Sequence, residues 1–292
     1  MLDPKLSLSR DGYVVVPEFL NPEMVRALQA ICKDVLSGLD ADHREKFKST
    51  GSLCNFGDHP AFSRIVSHPD VADVMSALGI EKFKWLAGYL ISKPGYSPPL
   101  FWHQDWWGWS EEISYQPTPL GLGFMYYLTD TKPENGCLRV IPGSHRNWHE
   151  LHDLPEAHGE DLSRARDLEN VAFQSHPDEV AVSVKAGDLV IMDSRVLHSA
   201  YPNQTANERS LLTLWYLPEF QAMPEPIRAR FFDIFSRKNL DVDVADQTPI
   251  SPLDWPEDAK DAVRSLFPTP VHNSVPNIWE RRPNRQRMSG PS

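Results

Sequence analysis

"AGDLVIMDSRVLHSAYPN", Ala186–Asn203, is built of turn, strand and turn. Gly187-Asp188 makes the first turn, Leu189–Met192 read as an apolar strand, and Pro202-Asn203 close the stretch with His198 just before them. The same punctuation recurs on both sides. "FKWLAGYLISKPG" (83–95), "GLGFMYYLTD" (121–130), "CLRVIPGSH" (137–145), "VAVSVKAGDLVIMD" (180–193) and "RSLLTLWYLP" (209–218) are rich in β-branched and aromatic residues and are separated by Gly, Pro and Asn.

The N-terminal part has a different texture. "DGYVVVP" (11–17) reads as a short strand ended by Pro17. In "NPEMVRALQAICKDVLSGL" (21–39), Asn21 caps, Pro22 takes the first helical position, and Val25, Leu28, Ile31, Val35 and Leu39 recur at three- and four-residue steps. "HPDVADVMSALG" (68–79) gives a second helix closed by Gly79. After Met223 strands vanish, and "EPIRARFFDIFSRKNL" (225–240) predicts one more helix. Helices followed by many short strands predict a mainly β fold with flanking helices, a double-sheet jelly roll. We expect one domain over 1–292: a helical part to about residue 82, a core over 83–220, and a C-terminal helix with a Pro-rich tail over 221–292. Residues 145–180 read as a long excursion between strands, a candidate lid.

Composition narrows the classes. The chain has 292 residues, 41% hydrophobic and 24% charged, which is ordinary globular usage. The net charge of −11 argues against nucleic acid as a partner, and the basic "RRPNRQR" (281–287) reads as a solvated tail. No apolar run is long enough for a membrane span, and the N-terminus has no secretory pattern. Three cysteines with no close-spaced pair fit free thiols in a reducing cytoplasm. A homo-oligomer is left open.

Three His-x-Asp triplets occur. His68-Pro69-Asp70 opens a helix, and His176-Pro177-Asp178 sits in a polar loop where turn chemistry explains it. His103-Gln104-Asp105 falls at the end of a strand-like run inside "FWHQDWWGW" (101–109). On a strand, residues i and i+2 share a face about 7 Å apart, so both side chains can meet one cation. A buried, satisfied polar pair fits the triplet as well. His198, at the end of a distant strand, completes a two-His-one-carboxylate set of the kind that suits non-haem iron. Arg209 opens the next strand, sharing a face with Leu211, Thr213 and Trp215. An Arg on such a face needs a carboxylate partner, from the protein or from a bound diacid.

These segments resemble the phytanoyl-CoA dioxygenase family of Fe(II)- and 2-oxoglutarate-dependent oxygenases. The resemblance runs over roughly residues 8–217 and rests on "DGYVVVPEFLNPEMV", "LISKPG", "WHQD", "NGCLRVIPGSH", "AGDLVIMDSRVLHSAYPN" and "ERSLLTLWYLP". It implies a double-stranded β-helix, cupin-like core. It implies iron ligation by His103, Asp105 and His198, and a 2-oxoglutarate carboxylate on Arg209. Tyr89 and Met125 are the further cosubstrate contacts, with core packing as the other reading of both. Many members carry Ser two residues after the distal His; here Ala200 stands there, which turns attention to Thr213 or Tyr89 for the missing hydroxyl.

The implied activity is a dioxygenase reaction that consumes O2, releases succinate and CO2, and most simply hydroxylates a substrate. Family halogenases lack the carboxylate that Asp105 supplies. Continuing the strand places Trp107 and Trp109 on the ligand face, so Trp107, with Trp106 and Trp109, is expected to wall the substrate; core packing is the competing reading. With no basic cluster for an acyl-CoA, a small or medium-sized metabolite, as in secondary metabolism, is the expected partner. Two other classes compete: a zinc hydrolase on the same three ligands, which has no need of Arg209, and a non-catalytic jelly-roll binding protein, which needs none of the four.

Overall fold

The computed structural model describes residues 3–154, 159–236, 252–272 and 274–288. Among the described residues, nine strands form two sheets. We number them β1 Tyr13–Val16, β2 Cys54–Asn55, β3 Phe83–Lys93, β4 Leu122–Tyr127, β5 Leu138–Val140, β6 Val180–Val182, β7 Leu189–Asp193, β8 His198–Ala200 and β9 Arg209–Pro218. The large sheet runs β1-β7-β4-β9-β3-β2 and the small one β6-β5-β8. All the recorded pairings between these strands are antiparallel. This is the expected jelly roll.

The large sheet is buried on both faces. On β9, Leu212, Leu214 and Tyr216 join Leu122, Phe124 and Tyr126 of β4 in a core shared with Val25, Leu28, Cys32, Val71 and Met75 of the flanking helices. The opposite face meets the small sheet. There Met125, Tyr127, Val190, Met192 and Leu211 pack against Leu138, Val140 and Val182. The period-two alternation of strands thus assigns each residue of β4 and β9 to the helix side or to the interior between the sheets.

The helix expected after Asn21 spans Pro22–Ser37, with the Asn21 side chain accepting from the Met24 N–H. The second spans Asp70–Ala77. The third spans Glu225–Ser236, and its expected continuation through Leu240 lies outside the described residues. Its Ile227, Phe231 and Phe235 enter the helix-side core. The helices Pro4–Asp11, Ala41–Lys46 and Glu257–Val263 are among those the sequence did not predict. Pro4–Asp11 buries only Leu8, so it has no apolar period, but Asp3 caps it and Gly12 closes it at φ 82°.

Two segments are held more closely than a tail or an excursion implies. The basic stretch 281–287 is not a free tail. Arg285–Met288 is a helical turn, the Arg285 guanidinium lies 3.9 Å from the Trp148 ring centre, and Arg287 pairs with Glu112 at 3.1 Å. The described part of the 145–180 excursion is tied down at several points. The backbone N–H of Trp102 donates to Ala172 O at 2.7 Å, its indole to Gln174 O, and the buried Arg139 guanidinium to Phe173 O and Glu179.

Candidate active site

His103 and His198 meet through their backbones. Each N–H donates to the other's carbonyl, at 3.0 and 2.8 Å, and this single antiparallel bridge sets the rings 4.1 Å apart. Asp105 completes the group: its carboxylate oxygens lie 3.7 Å from His103 Nε2 and 3.9 Å from His198 Nε2. One donor atom from each residue can lie within 4.8 Å of the other two. The sites of both rings are buried.

The ring hydrogen bonds fix which nitrogen faces Asp105. His103 Nδ1 lies 3.0 Å from Phe101 O, and His198 Nδ1 lies 3.0 Å from Val196 O. A carbonyl can only accept, so each Nδ1 is the donor and each Nε2 is the nitrogen turned toward Asp105. The other His-x-Asp triplets show the reverse. The Nδ1 of His68 accepts from the Asp70 N–H, and that of His176 from the Asp178 N–H. Those imidazoles serve turns, as their context suggested. A second cluster, His149, His176 and Asp178, also gathers possible ligands. Its two Nδ1 atoms accept from the N–H groups of Leu151 and Asp178, so the Nε2 atoms carry protons and donate to acidic neighbours. That arrangement does not suit a metal. His145, in "PGSH", bonds Ser9 O instead.

Asp105 is held by a residue the sequence reading overlooked. The Trp215 indole N–H donates to Asp105 Oδ2 at 3.0 Å. Trp215 lies on the interior face of β9, six residues past Arg209, so the strand period alone places it on the Arg209 side. Tyr89 packs edge-on against the same indole at 5.7 Å, and burial together with the Asp105 charge holds its hydroxyl well above the usual range.

Arg209 is 3% exposed. Its Nη2 donates to Gly136 O at 2.6 Å, but Nε and Nη1 have no partner among the described residues. Burial lowers its pKa from the usual guanidinium value. Lys93 sits directly opposite on β3, donating to Ser49 O and Pro98 O. Burial first, then the charges of Arg209 and Arg139, push the Lys93 ammonium well below its ordinary range. The buried Arg209 guanidinium, with donors unpartnered among the described residues, calls for an anion. Further along β9, Thr213 pairs with Tyr89 on one side and Met125 on the other, and its Oγ1 also lacks a partner among the described residues. The three residues therefore form a row across β3, β9 and β4. A bound diacid suits the orphaned donors, and a two-nitrogen, one-oxygen ligand set suits Fe(II) with coordination positions left open.

The tryptophans are placed differently from expectation. The strand-like run reduces to a single bridge at His103, and the N–H groups of Asp105 and Trp106 both turn to Ser194 O at 2.8 Å. Trp106 donates its indole N–H to Ser114 Oγ, Trp109 to Gln104 Oε1, and Trp107 is stacked between Trp106 and Trp279. All three are core residues. The substrate-wall role expected of Trp107, Trp106 and Trp109 gives way to packing.

A family model described as phytanoyl-CoA dioxygenase matches residues 8–211. The L-proline trans-4-hydroxylase of Streptomyces griseoviridis is 26% identical over 280 residues, covering 87% of this chain and 96% of that protein. The ectoine dioxygenase of Sphingopyxis alaskensis is 26% identical over 225 residues, covering 72% and 73%. Among solved structures, the non-haem α-ketoglutarate-dependent carbocyclase SnoK of nogalamycin biosynthesis superposes with a TM-score of 0.54 at 26% identity, over 75% of this chain and 84% of that one.

Proposed function

The chain belongs to the phytanoyl-CoA dioxygenase family, and from that membership we propose that it hydroxylates a small or medium-sized organic metabolite. It is an oxidoreductase, an Fe(II)- and 2-oxoglutarate-dependent dioxygenase that uses O2. In this reading His103 and His198 offer Nε2, and Asp105 a carboxylate oxygen, to the iron. Arg209 receives the distal carboxylate of 2-oxoglutarate, and Thr213, Tyr89 and Met125 line its bed. Bound there, iron, O2 and 2-oxoglutarate supply oxidation of a substrate C–H bond, with succinate and CO2 as co-products.

The chain's own contribution is orientation. The bonds from each Nδ1 to a carbonyl hold the two rings in the tautomer that ligates, and the Trp215 indole holds Asp105 Oδ2. Arg209 is poised for a carboxylate before one arrives, so little reorganisation accompanies binding. Apolar Leu211, Val140 and Met125 line the interior and exclude water.

The observation that carries this reading is the pair of orphaned donors on buried Arg209. A zinc hydrolase has no use for them, and neither does a binding protein without a cosubstrate. The substrate class is supported by the acidic chain and by relatives whose names specify proline and ectoine. The buried free thiols Cys32, Cys54 and Cys137 support a cytoplasmic setting, and no helix among the described residues is long and apolar enough to cross a membrane. The core shared by the sheet and the helix Glu225–Ser236 supports a single domain.

The test is a panel of amino acids, amino-acid-derived solutes and larger metabolites, read by succinate release and product mass. We expect a substrate-dependent rise in succinate with a product heavier by one oxygen atom. Turnover confined to acyl-CoA thioesters would contradict the substrate class. A product without added oxygen would contradict hydroxylation.

A further inference from the structure

Gln104 lies between two proposed iron ligands, yet every polar group of its side chain points elsewhere. Its Nε2 donates to Arg281 O at 2.6 Å, and its Oε1 accepts from the Trp109 indole at 2.9 Å. Its backbone carbonyl accepts from Arg281 Nη1 at 3.1 Å. Gln104 is 5% exposed, so these bonds are made away from water. The pairing continues along the chain. Glu280 N–H donates to Trp107 O at 2.8 Å, and Trp109 N–H donates to Glu280 O at 3.2 Å, a parallel bridge centred on Gly108. Trp279 stacks on Trp107 with centres 4.6 Å apart and planes within 10°, and the Arg281 guanidinium lies 5.2 Å from the Trp279 ring centre. The other end of the segment is moored where Arg230 donates twice to Asn277 O.

The loop 104–109 needs such a partner. It leaves the bridge at His103, and Ser194 O accepts from only its Asp105 and Trp106 N–H groups. Without residues 279–281, Gln104 Nε2, Gln104 O, Trp107 O and Trp109 N–H would lose the bonds that hold the loop in register. The chelating side chains of His103 and Asp105 sit on that same short stretch, so their spacing depends on it. Residues 277–288 lie beyond the part of the chain that the family model matches.

We propose that Gln104, Trp279 and Arg281 form a clasp by which the C-terminal segment positions the His103–Asp105 loop for iron. The proposal rests on the ligand assignment given above. These are positioning residues, acting through the loop's backbone. Binding of the metal and closure of the clasp are then reciprocally coupled.

The test uses the full-length chain with Arg281→Ala, Arg281→Lys and Trp279→Ala, alongside His198→Ala. Anaerobic Fe(II) affinity is measured with thermal midpoints of the metal-free proteins and 2-oxoglutarate affinity at saturating iron. Loss of an outer-sphere partner weakens metal binding by about 10–100-fold, and we expect that range for Arg281→Ala and Trp279→Ala. Arg281→Lys keeps a cationic donor for Gln104 O and should recover much of the loss. The 2-oxoglutarate affinity should stay near that of the unaltered protein, since Arg209 is untouched. Folded variants with unchanged Fe(II) affinity, while His198→Ala has lost it, overturn the clasp alone. Unchanged affinity in His198→Ala overturns the ligand assignment and the clasp with it.

Hydrogen exchange on the unaltered protein reads the same coupling even where a variant does not fold. Added Fe(II) should slow exchange at Glu280 N–H together with Asp105 and Trp109. Protection confined to the residues around 103–105 and 198 would overturn the proposal.

Discussion

A single hydrogen-bond direction separates the proposed ligand histidines from those of the other two triplets. In His103 and His198, Nδ1 donates to the carbonyl two residues earlier; in His68 and His176, it accepts from the N–H two residues later. Spacing in the sequence cannot distinguish these, because all three His-x-Asp triplets share it. Trp215→Phe removes the indole donor to Asp105 while keeping an aromatic ring. We expect Fe(II) binding to weaken by about 10–100-fold with little change in thermal midpoint, read by anaerobic titration and calorimetry. Arg209→Met separates two effects. Cosubstrate affinity should fall by about 2–5 kcal/mol, since a buried charged contact is lost. The protein free of 2-oxoglutarate should become more stable, because a buried cation without a carboxylate partner is replaced by an apolar chain. A lower melting temperature for that variant would mean that Arg209 is a structural ion-pair partner.

At the level of elements, the two faces of the large sheet do separate work. On β9, Leu212, Leu214 and Tyr216 hold the helices, while Arg209, Thr213 and Trp215 serve the interior. Strand β3 is packed closely on the helix side. A Cβ at Gly88 would come within 2.6 Å of the Phe56 ring, which is fully buried and stacked on Phe62 at 4.2 Å. Gly88→Ala should therefore destabilise the fold by about 1–3 kcal/mol, visible as a lower denaturant midpoint.

The strands other than β2 and β8 were legible in the sequence because their apolar runs are bounded by Gly, Pro and Asn. The helix after Asn21 was legible because capping and apolar period agree. The helix Pro4–Asp11 was not, since capping alone specifies it. The structure brings His103, Asp105 and His198 together, as their spacing allowed, and buries Arg209 on the interior face of β9. The tryptophans were misplaced because strand alternation was carried past Asp105, where Ser194 O bends the chain. The docked C-terminus was illegible because its anchors, from Gln104 to Arg281, are long-range hydrogen bonds and ring stacks with no periodic signature.

The molecule as a whole couples folding to protonation and to ligands. Burial draws the His152 imidazole down from 6.5 to about 4, and its Nε2 has no partner among the described residues. The folded state thus resists protonation while the unfolded chain accepts it. Stability from this group is complete above pH 6.5 and declines as pH falls toward 4, by about 3 kcal/mol in total. Urea unfolding across that range should show the slope, and His152→Gln should flatten it. Iron and 2-oxoglutarate, which bind only the folded chain, should raise the melting temperature with their concentrations.

The central claim is that His103, Asp105 and His198 hold iron while Arg209 holds 2-oxoglutarate beside it. The most direct check is an anaerobic titration of the metal-free protein with Fe(II) and 2-oxoglutarate, followed by the visible charge-transfer absorbance of their chelate. The band should require both components, disappear in His198→Ala, and need far more 2-oxoglutarate in Arg209→Met. A band of full strength in His198→Ala, or an unchanged 2-oxoglutarate requirement in Arg209→Met, would contradict it.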